Sequence, residues 1–423
     1  MSSSFSPLER SFSVFLSKFP FLKKFVKLFY TRLVYIRNRK NYKVKTISPV
    51  QAVSDSRESF FGYYDVTPEN NDFQIFNEPE LSTSVVPSSD SFVSVCIKSI
   101  SGEDLLLRAT SSSYNWQQGC RAHWINSNEF VFNDFDKDKN SYVCKRYNVK
   151  NSQCVAEYDL PVQSSFQDKY YYSLNYSRLM NLRADYGYRN KFLLEVDELD
   201  DLKNDGVWKV DYKTGKSKLS LSLHEVAGFQ SKYDVAKFNH KVNHVLISPS
   251  GDKFIFMHRL ISNGRRFDRL LLSDSEGKLL KVLSDNEMVS HCCWLDNNTV
   301  LGYLRGPSNK DAYWLIDCNT GKFTSFLDGA LDQFGDGHPS ANGDYVITDT
   351  YPDKSRMQQL ILVNWKASQV RVLGEFFHGF DYTGETRCDL HPRFSPDGKT
   401  VYFDSVFSSE RKLYSMNIES VFQ

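Results

Sequence analysis

Five of the nine histidines in this 423-residue chain, His123, His244, His291, His338 and His391, stand immediately before one recurring turn motif. Side chains that recur at one phase of a repeat are delivered to a common place. Imidazole and thiolate are the donors that Zn²⁺ prefers, and four of them make a closed tetrahedral site. His291 in Ser-His-Cys-Cys-Trp, His338 in Asp-Gly-His-Pro, and Cys388 with His391 in Arg-Cys-Asp-Leu-His-Pro form such a set. Asp336 and Asp389 are outer-sphere or substitute ligands. Ligands scattered over successive repeats have no diagnostic spacing. The competing reading is that His338-Pro339 and His391-Pro392 brace their turns.

A second group combines bases with cations: His123, His244, His258-Arg259, Tyr188-Arg189 and Arg183. Abstracting a proton next to a carboxylate takes a base, a cation that neutralises the acid group, and an acid for the leaving oxygen. The same residues also suit binding of anionic sugars without chemistry. Phe60-Phe61-Gly62-Tyr63-Tyr64-Asp65 opens the first repeat, and Tyr63 and Tyr64 could stack on pyranose faces or pack as ordinary core.

The elements that must position these residues are repeats. The turn and strand recur as Ser248-Pro249-Ser250-Gly251-Asp252-Lys253-Phe254-Ile255-Phe256, as Ser340-Ala341-Asn342-Gly343-Asp344-Tyr345-Val346-Ile347-Thr348, and as Ser395-Pro396-Asp397-Gly398-Lys399-Thr400-Val401-Tyr402-Phe403. A partner hairpin follows about seven times, with turns such as Asp-Ser-Glu-Gly at 274–277. Seven units of about four strands predict an all-β fold, a seven-bladed β-propeller. The last unit lacks an outermost strand, which residues 43–53 are expected to supply, removing an exposed edge. The stretch Phe166–Tyr188, dense in Tyr, Asn and Arg, has no strand period and is expected to be a functional insertion.

Ahead of the repeats the charge is uneven. Residues 10–54 hold eleven Lys or Arg and no acid, against a net charge of +1 for the whole chain, so the remainder carries −10. Apolar residues at Phe15, Phe19, Leu22, Val26, Phe29, Leu33 and Ile36 predict one face of a helix running from about Pro20 to Arg39. Lysines interrupt it too often for a membrane span, and no secretory signal is visible. The leader therefore reads as a basic amphipathic helix on an anionic membrane surface, with docking against the body or a partner as the alternative. The expected organisation is residues 1–42 as helix and linker and 43–423 as propeller. The expected location is the cytoplasm, peripheral on the inner face of the membrane. Eight cysteines without a CxxC pair fit free thiols. Balanced charge excludes a dedicated nucleic-acid binder, and no Gly-x-Ser-x-Gly elbow, P-loop or dinucleotide fingerprint is present.

Three segments carry a family resemblance: Asp336-Gly337-His338-Pro339-Ser340, Thr348-Asp349-Thr350-Tyr351-Pro352-Asp353, and Arg387-Cys388-Asp389-Leu390-His391-Pro392-Arg393-Phe394-Ser395-Pro396-Asp397-Gly398. With Phe256-Met257-His258-Arg259 and Gly264-Arg265-Arg266, they resemble the seven-bladed propellers of oligogalacturonate and ulvan lyases over roughly residues 58–420. The resemblance implies a divalent metal (Zn²⁺ or Mn²⁺) on His291, His338, Cys388 and His391, and β-elimination at a uronic acid of an acidic polysaccharide. It also implies His123 and Tyr188 as base and acid and Arg189 as carboxylate neutraliser. From their residue types alone, Tyr63, Tyr64, Arg183, His244, His258 and Arg259 are expected to bind substrate. The leader and Phe-Phe-Gly-Tyr-Tyr-Asp are separately similar to proteins encoded with bacterial capsule and O-antigen genes. That similarity implies a membrane-associated glycosyltransferase or assembly factor handling a lipid-linked glycan. A non-enzymatic glycan-binding scaffold is the third possibility.

Overall fold

Seven antiparallel sheets follow one another along the chain and close into a ring. The computed structural model describes residues 20–39, 44–102 and 104–422, with the side chains of the first helix described from Phe29 onward. The fourth blade shows the pattern most fully, with Asn239–Ile247 innermost, then Lys253–Ser262, Arg265–Asp274 and Leu279–Glu287. The fifth begins with Val289–Trp294, the sixth with Ser340–Asn342 and the seventh with Arg393–Phe394. In the first blade the innermost position is reduced to two isolated bridges, Phe60 with Asn77 and Glu69 with Gln74.

Alternation along each strand sends every second side chain into the gap between neighbouring blades. Leu246, Ile255 and Leu270 of the fourth blade thus meet Val289, Val300 and Ile316 of the fifth in one buried cluster. Each fully buried aliphatic side chain of this kind contributes about 1.5–3 kcal/mol.

Closure follows the expected route and adds a strand that the sequence did not suggest. Val50–Ala52 pairs with Lys412–Asn417 as the outermost strand of the seventh blade, with Val50 opposite Met416 and Ala52 opposite Tyr414. Just before it, Lys45–Thr46 pairs with Gln369–Phe377 and becomes a fifth strand of the sixth blade. One short segment therefore staples two blades.

The helix α1 (Pro20–Asn38) lies close to the expected span. Tyr35 packs edge-on against Phe380, with ring centroids 5.2 Å apart, and contacts Phe377 at 5.9 Å. Phe29, Leu33 and Ile36, spaced by four and three, remain exposed. Among the described residues no helix is long and apolar enough to cross a membrane. The first part of the leader, residues 1–19, and residues 40–43 lie outside the described residues.

The stretch Phe166–Tyr188 is not irregular throughout: Tyr170–Ser173 is a strand of the third blade, and the insertion lies between it and Gly206–Asp211. It folds into α2 (Tyr176–Leu182), whose first turn is capped by the Asn175 side chain accepting from the Ser177 and Arg178 amides. A 3-10 turn at Ala184–Tyr186 follows. Its Tyr176, Tyr186 and Tyr188 are buried while Phe192 is exposed, and Tyr186 reaches the ring axis.

Candidate active site and metal centre

Four consecutive blades each deliver one histidine to the same end of the axis. Ring centroids run from His244 to His291 at 6.4 Å, from His291 to His338 at 4.0 Å, and from His338 to His391 at 4.3 Å. Tyr63 and Tyr64 plug the axis beside them. Tyr63 lies parallel to His244 at 5.1 Å and edge-on to His391 at 4.9 Å, while Tyr64 contacts His338 at 5.5 Å. The Tyr64 hydroxyl donates to the Cys292 carbonyl and accepts from the Cys292 amide. Farther along the same inner strands a cavity of about 380 Å³ opens, lined by Tyr64, Ser165, Pro249, Trp294 and Pro339.

Hydrogen bonding fixes the tautomers of two of the histidines. His338 Nδ1 lies 2.8 Å from Asp349 Oδ1, and His391 Nδ1 lies 3.0 Å from the Gly62 carbonyl. Carboxylate and carbonyl oxygens only accept, so each Nδ1 carries a proton, and in the neutral imidazole each Nε2 is left with the lone pair. Both Nε2 atoms are buried and neither has a hydrogen-bond partner among the described residues. A carboxylate oxygen of Asp389 joins them, and donor atoms of His338, Asp389 and His391 all lie within 4.8 Å of one another. Two lone pairs and a carboxylate facing one another in a buried space fit a divalent cation. Imidazoles oriented by acceptors at the far nitrogen are the usual support for such a site.

Asp349 is the keystone of this arrangement. Besides the imidazole, its carboxylate accepts from the amides of His338 (2.7 Å) and His391 (3.1 Å), so one side chain sets two ligand-bearing loops. Gly337 makes that approach possible, because a Cβ there would sit 1.9 Å from the Asp349 carbonyl oxygen. Gly62 has φ +125°, and a Cβ would meet the Gln118 carbonyl carbon at 2.6 Å, so the carbonyl that orients His391 also depends on glycine.

Burial pushes His244 and His291 well below the ordinary imidazole value, with Arg259 and His338 respectively adding to it. It does the same to His391, aided by His338. Burial also works against a charged His338, but Asp349 outweighs it and raises that imidazole. Asp389 behaves in the opposite sense for a carboxyl: burial opposes its charge, yet Arg387, donating at 2.7 Å, holds it well below the carboxylate range. Asp336 is raised to about 6 by burial, although the Ser290 hydroxyl donates to it.

With this geometry in place, comparison with solved structures becomes informative. An oligogalacturonate lyase from Vibrio parahaemolyticus matches with TM-score 0.56 and 13% identity, over 90% of this chain and 99% of that one. An oligogalacturonate lyase in complex with manganese matches with TM-score 0.55 and 14% identity, over 90% of this chain and 100% of that one. A prolyl endopeptidase structure reaches 0.51 at 11% identity and is covered over only 49% of its length. The shared fold is the seven-bladed propeller. No family profile matches the sequence, and no curated protein matches it. At these identities the likeness concerns architecture, and chemistry must be argued from the site.

Of the residues singled out in the sequence, His244, His291, His338, His391, Tyr63 and Tyr64 converge, and Arg183 stands near them with its guanidinium 4.8 Å from the Tyr186 ring. Cys388 does not join them. Its side chain packs with Tyr382 and Val406, and burial raises the thiol to about 12. Successive side chains of extended backbone point to opposite sides. In Arg387-Cys388-Asp389 the outer two therefore reach the axis and the cysteine turns away, so Asp389 takes its place.

His123 also lies apart. Its Nδ1 is 2.7 Å from the Arg121 carbonyl and its Nε2 is 2.7 Å from Ser165 Oγ, so both ring nitrogens are engaged between the second and third blades. Burial, reinforced by Arg121, lowers it to about 4. Tyr188 stacks flat on Tyr176 at 4.1 Å and accepts from Asn133 Nδ2 at 2.9 Å, a core position. Tyr186, two residues earlier, is the tyrosine that reaches His244, at 5.1 Å. Arg189 pairs with Glu385 at the surface. His258 stacks on His240, with Nε2 2.9 Å from His240 Nδ1, and Arg259 is bound to Asn243 and Asp268. Asp349, Tyr351, Tyr186 and Arg387 enter as site residues unassigned from sequence. Asp349 and Tyr351 sit inside the Thr-Asp-Thr-Tyr-Pro-Asp segment that carried the resemblance.

Proposed function

We propose that this protein is a metal-dependent lyase that cleaves a uronic-acid-containing glycan by β-elimination. The observation that carries this reading is the pair of buried, unpartnered Nε2 atoms of His338 and His391 facing Asp389 at the end of the axis. Solved structures of similar fold that are named oligogalacturonate lyases, one of them in complex with manganese, support it. His338, His391 and Asp389 would hold the ion, with His291 adjacent. A divalent cation held there would supply positive charge to neutralise a substrate carboxylate and acidify the neighbouring C–H.

The chain's own groups do the rest. Arg387, whose guanidinium lies 5.2 Å from the Tyr351 ring, and Arg183 flank the centre with fixed positive charge. We assign removal of the C5 proton to His244, which burial keeps neutral and whose Nδ1 has no hydrogen-bond partner among the described residues. As that proton leaves, the C5–H electrons form the C4=C5 double bond and the C4–O bond breaks. Tyr351, which burial keeps protonated, returns a proton to the leaving oxygen. The test is ultraviolet absorbance of the conjugated unsaturated product after incubation with polygalacturonate and other uronate polymers, using protein loaded with Mn²⁺ or Zn²⁺. A rise that is lost on chelation is expected. No rise with any uronate polymer refutes the reading.

We place this activity at an anionic membrane surface. The sequence of α1 contains Lys23, Lys24, Lys27, Arg32 and Arg37 and no acid, and Phe29, Leu33 and Ile36 face away from the blade that holds Tyr35. Basic residues near such a surface contribute about 1 kcal/mol each. The full chain is expected to sediment with phosphatidylserine vesicles at low salt and to be released by Phe29→Asp with Ile36→Asp. Equal binding to neutral vesicles would count against this placement.

A further inference from the structure

The third-blade insertion exposes an apolar tip that the mechanism does not use. Phe192 is 98% exposed, Leu193 59% and Val196 73%. The tip stands on a held backbone: the Asn181 side chain donates to the Leu194 carbonyl at 3.0 Å and accepts from the Leu194 amide at 2.9 Å. Behind it the buried Arg178 guanidinium donates to the carbonyls of Glu198, Leu199 and Asp201. An exposed aromatic on a prearranged backbone loses little freedom on association, which is what an interface anchor requires. The flank of the tip is acidic. Around the short helix α3 (Val196–Asp200), Glu195, Asp197, Glu198, Asp200 and Asp201 are all exposed. Between residues 191 and 203 only Lys191 and Lys203 oppose them.

That acidity turns the tip away from an anionic bilayer and toward a basic, apolar partner. The chain itself carries one. The α1 sequence has five Lys or Arg and no acid, and its Phe29, Leu33 and Ile36 point away from the blade that seats Tyr35. Arg32, four residues before Ile36, and Arg37, four after Leu33, border that stripe and are exposed. Both patches lie at the end of the ring that carries the histidines, because one loop touches all three. Within residues 378–392, Phe380 meets Tyr35 of α1, Glu385 pairs with Arg189 of the insertion, and Asp389 and His391 belong to the candidate centre.

We propose that two copies of this chain associate through these patches, α1 of each lying on the 192–201 surface of the other. Two unlike patches exchanged in both directions close a twofold dimer, and no open chain of molecules forms. The stripe on α1 serves either a second copy or a bilayer, so the dimer is the form of the protein away from membranes. No group of the candidate centre enters the interface, so the proposal stands apart from the lyase reading.

The test is sedimentation velocity on the full chain. A species of twice the chain mass is expected at low salt, with association weakened about tenfold or more at high salt, where the charges are screened. Phe192→Asp and Leu33→Asp, both at exposed positions, should each be monomeric with an unchanged thermal midpoint. Two charge-reversed chains, one with Asp197→Lys and Glu198→Lys and the other with Arg32→Glu and Arg37→Glu, should be monomeric alone and pair when mixed, because mixing restores both contacts. Phosphatidylserine vesicles should bind the chain and dissociate the dimer. A monomeric parent, a dimer that survives Phe192→Asp, or reversed chains that fail to pair overturns the interface. Intact dimers on vesicles overturn it as well, since α1 would then not be the element exchanged. A dimer that vesicles neither bind nor dissociate refutes the membrane placement and leaves the interface standing.

Discussion

His391→Ala is expected to leave the protein folded but unable to retain a divalent ion, with elimination activity falling below detection. The variant removes one of two imidazole donors, and the protein offers no spare group at that position: Cys388, the nearest thiol in sequence, faces Tyr382 and Val406. Elemental analysis of the purified variant gives the direct measurement, and its thermal midpoint shows whether the fold survives. A milder effect is expected one layer out. Asp349→Asn keeps the shape but presents an NH₂ group or a weaker acceptor to His338 Nδ1, so the tautomer that exposes the Nε2 lone pair is no longer enforced. Loss of such a supporting carboxylate typically costs 10–100-fold in metal affinity. Full metal occupancy in His391→Ala would dismiss the proposed centre.

The second large effect concerns stability. Arg393 and Asp404 form a buried pair at 2.8 Å in the seventh blade, with side chains 1% and 3% exposed. Asp404 also accepts from the amides of Phe61 and Gly62, and Arg393 donates to the Gly62 carbonyl at 3.0 Å and the His391 carbonyl at 2.7 Å. Asp404→Ala strands a buried guanidinium and two buried amides at once. The expected loss is about 3–5 kcal/mol, read as a shift in the denaturant midpoint. Replacing both partners by apolar residues should not restore stability, because the two amides remain without an acceptor. Wild-type stability in Asp404→Ala would show that water or local rearrangement satisfies these groups. A metal affinity that falls in parallel is expected, since Gly62 orients His391.

The architecture was legible because it repeats. Turn residues such as Ser-Pro-Asp-Gly at 395–398 mark strand starts, and a missing outer strand in the last blade could be matched to the segment ahead of the first. The histidines were legible for the same reason, since a common phase along the inner strand means a common position on the axis. The misplacements share a cause as well. Choosing Cys388 over Asp389 required knowing which way one extended tripeptide faces, and types alone favoured the thiol. Choosing Tyr188 over Tyr186 required the geometry of a helix and a 3-10 turn inside the insertion, where no period constrains direction. His123 shares the phase of the axial set, but Arg121 and Ser165 capture its two nitrogens.

The staple at residues 45–52 gives synthesis an order. Those residues leave the ribosome hundreds of positions before the strands they pair with, so residues 45–46 stay unpaired until the sixth blade appears and residues 50–52 until the seventh. Tyr63 and Tyr64 wait with them, since the histidines they support come from the fourth to seventh blades. The proposed metal ligands likewise come together only after residue 391 has been made, late in synthesis.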